Sequence, residues 1–486
     1  MNVQMKALAA ACALVAANSA MALTAGTATA ANTIFLSGSS ALKNDLINEI
    51  VGTLCQAGTA DMYRDSAGGG NFVRFECSAT AQTGIAAGTA IAVEYRQQGG
   101  SFFGGAPVGS YAIGKYVVNA SAGCPASAPI TAGATPVLGA VGNCTGWVAG
   151  NAATAVQAIP EAGIMDEEPA LFAASLNQPS SCASAFGDSA TCGSASTKNY
   201  VTTPVLIQAM GIVASTPLIT ALTKAGSVAG GKANLAANWI TTAFSSASSV
   251  QTDIVTNTNL AGNGDWAPLS DLVSASTGVT TAPFNGSVIL CRRAAGSGTQ
   301  AALNARFMQV GCGSGISNTP ASAALSINQF SADGVTVTTI NNATPTTVPT
   351  TGFYEVYENG SSGAVKTCML QAATAGHLAL GILSVDQGTG AGYDFVAIDG
   401  AAPTDTNITN GVYNYTVESV INKANGLTAS KGAIVDALIK AATSVATSSP
   451  AGVYNVLTGV AGSVTGNSGK SFKGTTAGVT CRHTLF

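Results

Sequence analysis

Apolar residues follow two rhythms along this chain. Ile34-Phe35-Leu36 is a short unbroken run that stops at Ser37-Gly38-Ser39-Ser40-Ala41. Beyond it, Leu42, Leu46, Ile50 and Leu54 recur every four residues. The first pattern predicts a strand and the second a buried helical face. Ser287-Val288-Ile289-Leu290-Cys291 predicts a second buried strand. It runs through a turn into Ala301-Ala302-Leu303-Asn304-Ala305-Arg306-Phe307-Met308, which predicts a helix. Helical pieces are also expected at 218–222 and 233–240. Two more apolar runs, 204–213 and 381–385, have strand length.

Both strand-to-helix turns carry the same chemistry. The later one reads Arg292-Arg293-Ala294-Ala295-Gly296-Ser297-Gly298-Thr299, and the earlier one is rich in serine. Glycine lets backbone approach a ligand closely. A helix start offers N–H groups with no partner inside the helix, and hydroxyls add further donors. Arginine adds a permanent planar cation that grips two oxygens at once. Two such turns converging on one cleft would hold an anion without a metal. The later turn taken alone also suits a plain helix cap with surface arginines.

These turns give the chain a family resemblance. Gly38-Ser39-Ser40-Ala41 and Arg293-Ala294-Ala295-Gly296-Ser297-Gly298-Thr299 resemble the two anion-gripping turns of the periplasmic phosphate-binding proteins of ABC importers, a type II periplasmic-binding-protein family. Gly99-Gly100-Ser101, the segment Glu161 to Pro169, and the runs from His377 and Phe395 are similar to further pieces of that family, in order, over roughly 33–420. The resemblance implies an α/β fold of two hinged lobes with β-rich and loop insertions. It implies that Ser39, Ser40, Ala41 (through its N–H), Ser101, Arg293, Ser297, Gly298 (N–H) and Thr299 surround inorganic phosphate or a similar oxyanion, with no cofactor. It puts the acidic acceptor for a phosphate proton at Glu161, and Ala295 where the family has an acidic partner for the arginine. An inner-membrane ABC permease would receive the ligand. Lobe 1 would span 32–204 and 385–486, with an insertion at about 102–158 forming a surface excursion. Lobe 2 would span 205–384.

The N-terminus adds a compartment. Lys6, a short alanine-rich apolar run and Ala20-Met21-Ala22 predict a signal peptide over 1–22, with Ala28-Thr29-Ala30 as an alternative cleavage site up to residue 30. That points to the periplasm or beyond. No later run is long enough to span a membrane. Cleavage would remove Cys12 and leave an even set of cysteines, which in an exported chain favours disulfides. Spacing suggests Cys55–Cys77, Cys124–Cys144, Cys182–Cys192 and Cys291–Cys312, with Cys368–Cys481 as a long closure.

Charge removes other functions. Charged residues are only 9% of the chain and the net charge is −4, so there is no basic patch for nucleic acid. Two histidines, His377 and His483, give a zinc site or a catalytic triad little to work with. The acidic run Asp166-Glu167-Glu168 reads as a solvated loop before Pro169. An exported, non-enzymatic oxyanion binder is therefore expected. The alternative is a secreted or cell-surface adhesion or matrix protein that keeps the fold without a transport role.

Overall fold

A computed structural model describes residues 27–65, 72–117, 142–144, 155–179, 199–224, 226–244, 288–308, 325–326, 354–374, 376, 378–443 and 453–455. Residues 1–22, where a signal peptide is expected, and Cys124, Cys182, Cys192, Cys312, Cys481, His377 and His483 lie outside the described residues, as does the Cys144 side chain.

The architecture is α/β. The strands that position the site are β1 (Thr33–Gly38), β2 (Asp61–Asp65), β3 (Phe72–Ser78), β4 (Ala90–Arg96), β5 (Ala162–Met165), β6 (Tyr200–Ser215), β7 (Val288–Arg293), β8 (Tyr354–Asn359), β9 (Leu378–Ser384) and β10 (Thr416–Ala424). They lie side by side in one mixed sheet, in the order β8-β7-β9-β6-β10-β5-β1-β4-β3-β2. The main helices are α1 (Lys43–Glu49), α2 (Thr216–Lys224), α3 (Ala237–Phe244), α4 (Gly298–Phe307), α5 (Ser362–Thr374) and α6 (Ala429–Thr443).

Strand β6 joins two halves. Its first part pairs with β10, from Tyr200↔Ala424 to Ala209↔Thr416. Its last part pairs with β9, from Met210↔Ser384 to Ala214↔Leu380. The cores divide along the same strand. Val205 and Leu206 pack with Ile34, Leu36, Leu46, Ile50, Ile434 and Leu438, whereas Ile207, Met210 and Ile212 pack with Leu290, Leu303 and Ile382. Tyr413, Tyr415 and Val417 join the second core and Ile421 the first. The buried side chains of β10 divide between the same two cores.

The helical stripe forms as expected: Leu42, Leu46, Ile50 and Leu54 are all buried. The helix over 233–240 is corrected. Lys232–Leu235 is a strand that pairs with Ala397–Ile398, and the helix begins at Ala237. The insertion is corrected at its start. Phe102, Phe103, Ala106 and Ile113 are buried against Met165, Phe172 and Ala301, between the halves rather than on the surface.

Two disulfides lie among the described residues. Cys55–Cys77 is as expected. Cys291 pairs with Cys368 instead of Cys312, which also removes Cys368 from the expected bridge to Cys481. The reason is layer packing: Cys291 on β7 points at α5, which lies on that face of the sheet and carries Cys368. No described helix is long and apolar enough to cross a membrane. No cluster of three metal-ligating side chains occurs among the described residues.

Candidate functional site

The first half contributes three pieces to one point. Strand β1 lies parallel to β5, with Gly38 beside Ile164. Gly38 has φ 128°, and a Cβ there would lie 1.9 Å from the Ile164 carbonyl oxygen, so only glycine fits. The chain then bends, and Ser39 N donates to Ile164 O at 2.9 Å. Tyr95 Oη donates to Ser39 O, which fixes the bend from β4. The Ser39 hydroxyl donates to Asp166 Oδ1. Asp166 follows the last residue of β5, so both residues sit at the same end of adjacent parallel strands. Ser101 opens a short helical turn and completes the cluster. Its Oγ donates to Asp166 Oδ2 at 3.1 Å and accepts from Asp166 N at 3.1 Å.

The second half arrives from the opposite side. Ser297 caps α4, its Oγ accepting from Gln300 N at 3.4 Å. Gly298 is pressed onto the first half: a Cβ there would meet Ser101 Oγ at 2.3 Å and Asp166 Oδ2 at 2.6 Å. The Thr299 backbone N–H lies close enough to the Asp166 carboxylate to favour its ionised form. Further bonds close the halves together. Phe102 N donates to Gly296 O at 2.9 Å, Gly296 N to Asn177 O at 2.9 Å, and Asn304 Nδ2 to Asn177 Oδ1 at 2.8 Å.

Arg293 ends β7 and is buried. Its fork is held by Asn359 O at 3.2 Å from Nε, Ser362 Oγ at 3.1 Å from Nη1 and Gly360 O at 3.2 Å from Nη2. These acceptors do the orienting that the sequence seemed to lack at Ala295. Burial lowers the Arg293 pKa to about 10, and attraction from Asp166 opposes the fall, so the group stays a cation at neutral pH. Burial likewise pushes the Asp166 carboxyl up. The Ser39 hydroxyl, Arg293, the Ser101 hydroxyl and the Thr299 N–H pull it back.

Two hydroxyls at this point are unusual. Ser40 Oγ and Thr299 Oγ1 are buried, and neither has a hydrogen-bond partner among the described residues. An unpaired buried hydroxyl costs about 1–3 kcal/mol, so folded proteins rarely keep one without a reason.

Of the expected site residues, Ser39, Ser40, Ser101, Arg293, Ser297, Gly298 and Thr299 gather here. Ala41 is adjacent, but its N–H donates to Ser39 Oγ at 3.0 Å. Glu161 is elsewhere. It precedes β5, whereas Asp166 follows it, and the five residue steps between them span about 16 Å along the strand. Its Oε2 accepts from Phe35 N at 2.7 Å and its Oε1 pairs with Lys431 Nζ at 2.5 Å. Asp166 therefore takes the place in the cluster expected of Glu161. The run Asp166-Glu167-Glu168 is buried throughout, not a solvated loop. Arg292 points away and pairs with Glu358 at 2.9 Å. A signal for Asp166 was present in the sequence: a carboxylate just past the carboxyl end of a buried strand is where open α/β sheets bind ligands.

No family model matches the sequence, and no curated protein does. Among solved structures, a Clostridium perfringens protein described as a phosphate ABC transporter substrate-binding protein, with bound phosphate, is 15% identical; the match covers 58% of this chain and 73% of that one, with a TM-score of 0.28. An ABC-type phosphate transport receptor from Vibrio cholerae is 12% identical over 58% and 74%, with a TM-score of 0.28. PstS from Borrelia burgdorferi is 9% identical over 84% and 92%, with a TM-score of 0.29. These are distant likenesses.

Proposed function

We propose that the protein binds an oxyanion, phosphate before others, between its two halves and performs no chemistry on it. The observation that carries this reading is the approach of the Arg293 cation to the Asp166 carboxylate, together with two buried, unpartnered hydroxyls in the turns that meet there, Ser40 Oγ on the residue after Ser39 and Thr299 Oγ1 in the first turn of α4. The hydroxyls and the guanidinium supply donors to a tetrahedral oxyanion. Three of the five guanidinium donors are used by Asn359, Ser362 and Gly360, which leaves two for a ligand.

Asp166 sets the choice of anion. An ionised carboxylate only accepts hydrogen bonds, so it favours an oxyanion that still carries a proton. Sulfate would place an acceptor against an acceptor, a repulsion of the kind that builds specificity. In this reading the protein is exported by its N-terminal segment, works in the periplasm or outside the cell, and closes its halves about β6 like a hinged clamp. Delivery to an inner-membrane ABC permease follows from the same reading.

Calorimetric titration of phosphate and sulfate tests it. The wild type binds phosphate at least about tenfold more tightly than sulfate. Asp166→Asn, which adds a donor, narrows or reverses that preference, whereas Glu161→Gln leaves it unchanged. Equal affinity for the two anions in the wild type, or a loss of preference only in Glu161→Gln, contradicts the assignment.

A further inference from the structure

Helix α4 is buried from Gly298 to Ala305, and two of its buried side chains are amides, Gln300 and Asn304. They stand one turn apart on one face. A buried amide costs free energy unless its groups are bonded, and an apolar side chain of similar shape would avoid that cost. Both amides belong to a relay. Arg293 N donates to Gln300 Oε1 at 3.1 Å, Gln300 Nε2 to Asn304 Oδ1 at 2.9 Å, Asn304 Nδ2 to Asn177 Oδ1 at 2.8 Å, and Asn177 Nδ2 to Leu171 O at 2.9 Å. Each amide accepts at its oxygen and donates at its nitrogen, so all four bonds run one way. Turning one amide over would set donor against donor and acceptor against acceptor.

The relay joins the two charged residues of the site. One end is the backbone of Arg293, whose fork is fixed separately by Asn359, Gly360 and Ser362. The other end lies in two short helical turns, Pro169–Ala173 and Ser175–Asn177, which the chain enters just after Asp166. Leu171 and Phe172 belong to the apolar cluster of Phe102 and Met165, the residue before Asp166. Ala174 and Leu176 pack into the second core, and Asn177 O accepts from Gly296 N at 2.9 Å. This strap is therefore fastened to Asp166 in one half and to α4 in the other. A fully bonded buried network rigidifies the elements it joins, and ligand-touching groups depend on such support behind them.

We propose that Asn304, at the centre of the relay, is a positioning residue for the oxyanion site: with Gln300 and Asn177 it sets the distance between the Arg293 cation and the Asp166 carboxylate, without touching the anion. This inference rests on the oxyanion reading above and adds to it the part that keeps the site selective. Phosphate offers a proton to Asp166 while its other oxygens face donors, so its advantage over sulfate depends on that distance. A slack relay lets the two charged groups settle at other separations and narrows the advantage.

The test is calorimetric titration of inorganic phosphate and of sulfate into the wild type and Asn304→Leu, which keeps the branched shape of the side chain and removes both bonds. Phosphate affinity is expected to fall about tenfold and sulfate affinity by about threefold or less, so the preference for phosphate shrinks. A merely structural role weakens both anions by the same factor and leaves their ratio unmoved. Gln300→Met cuts the relay one link nearer Arg293 and is expected to repeat the result. Should neither variant fold, hydrogen exchange of the wild type decides: phosphate slows exchange in the peptide holding Arg293 and in the peptide spanning 171–177 together. An unchanged phosphate-to-sulfate ratio in a folded variant, or slowing at Arg293 alone or at neither peptide, overturns the relay and leaves the anion site standing. A wild type that gives no binding heat with either anion, or no preference between them, overturns the oxyanion reading and this inference with it.

Discussion

Thr299 is the residue whose role separates a binding site from an ordinary helix start. Its backbone N–H favours the ionised form of Asp166, yet its hydroxyl is buried without a partner among the described residues. Thr299→Val keeps the shape and removes only that hydroxyl. The apo protein is expected to melt within about 2 °C of the wild type, because no bond is lost and an unpaired group is removed. Phosphate affinity is expected to fall about 10- to 100-fold, the worth of a hydrogen bond to a charged group. Calorimetry alongside melting curves checks both halves of this expectation. At this scale the sequence was partly legible. Serine, glycine and arginine in a turn point to an anion, and Ser39, Ser101, Arg293, Gly298 and Thr299 do assemble. The acidic partner was misread because Glu161 and Asp166 bracket the same short strand. Only the direction of that strand, fixed by its parallel pairing with β1, says which end faces the cluster.

Among the elements, the strand-turn-helix unit from β7 to α4 was the clearest in the sequence, since an apolar strand, a Gly-Ser-Gly-Thr cap and an alanine-rich helix each carry a local signal. Long-range pairings were not legible. Ala233–Leu235 reads as helix in isolation and becomes strand because Ala397–Ile398 offers it an edge. The Cys291–Cys368 bridge likewise depends on α5 packing over β7, which no local spacing reveals. That bridge ties the strand ending in Arg293 to the helix whose Ser362 accepts from Arg293 Nη1. Replacing both cysteines by serine is expected to cost about 2–4 kcal/mol, a fall in melting temperature of about 2–4 °C. Phosphate affinity is expected to fall severalfold as the guanidinium loses its fixed aim. Unchanged melting in the double variant contradicts the structural role of the bridge.

Across the whole molecule, two halves share β6, and buried charge is used more freely than a chain with 9% charged residues suggests. One buried guanidinium, Arg74, serves both Glu76 and Glu94 in the first half. Burial pushes Glu94 up to about 8; attraction from Arg74 opposes this and repulsion from Glu76 adds to it. A carboxyl that binds its proton more tightly when folded stabilises the fold at low pH, and that stability is lost as pH rises through the folded pKa. The melting temperature is therefore expected to be higher at about pH 6 than at about pH 9, by roughly 1–2 °C, with Glu94→Gln flattening much of the slope. A melting temperature that rises with pH over that range contradicts this account of Glu94.

The central claim is that residues far apart in sequence, Ser40, Asp166, Arg293 and Thr299 among them, close on one oxyanion. It is tested most directly by the melting temperature of the wild type and Arg293→Lys with and without millimolar phosphate. Ligand at about a hundredfold excess over Kd adds about 2.7 kcal/mol, so the wild type is expected to gain about 3 °C. Arg293→Lys keeps a cation but loses the planar fork, and it is expected to lose most of that gain. A wild-type melting curve indifferent to both phosphate and sulfate, or an undiminished gain in Arg293→Lys, would contradict the account.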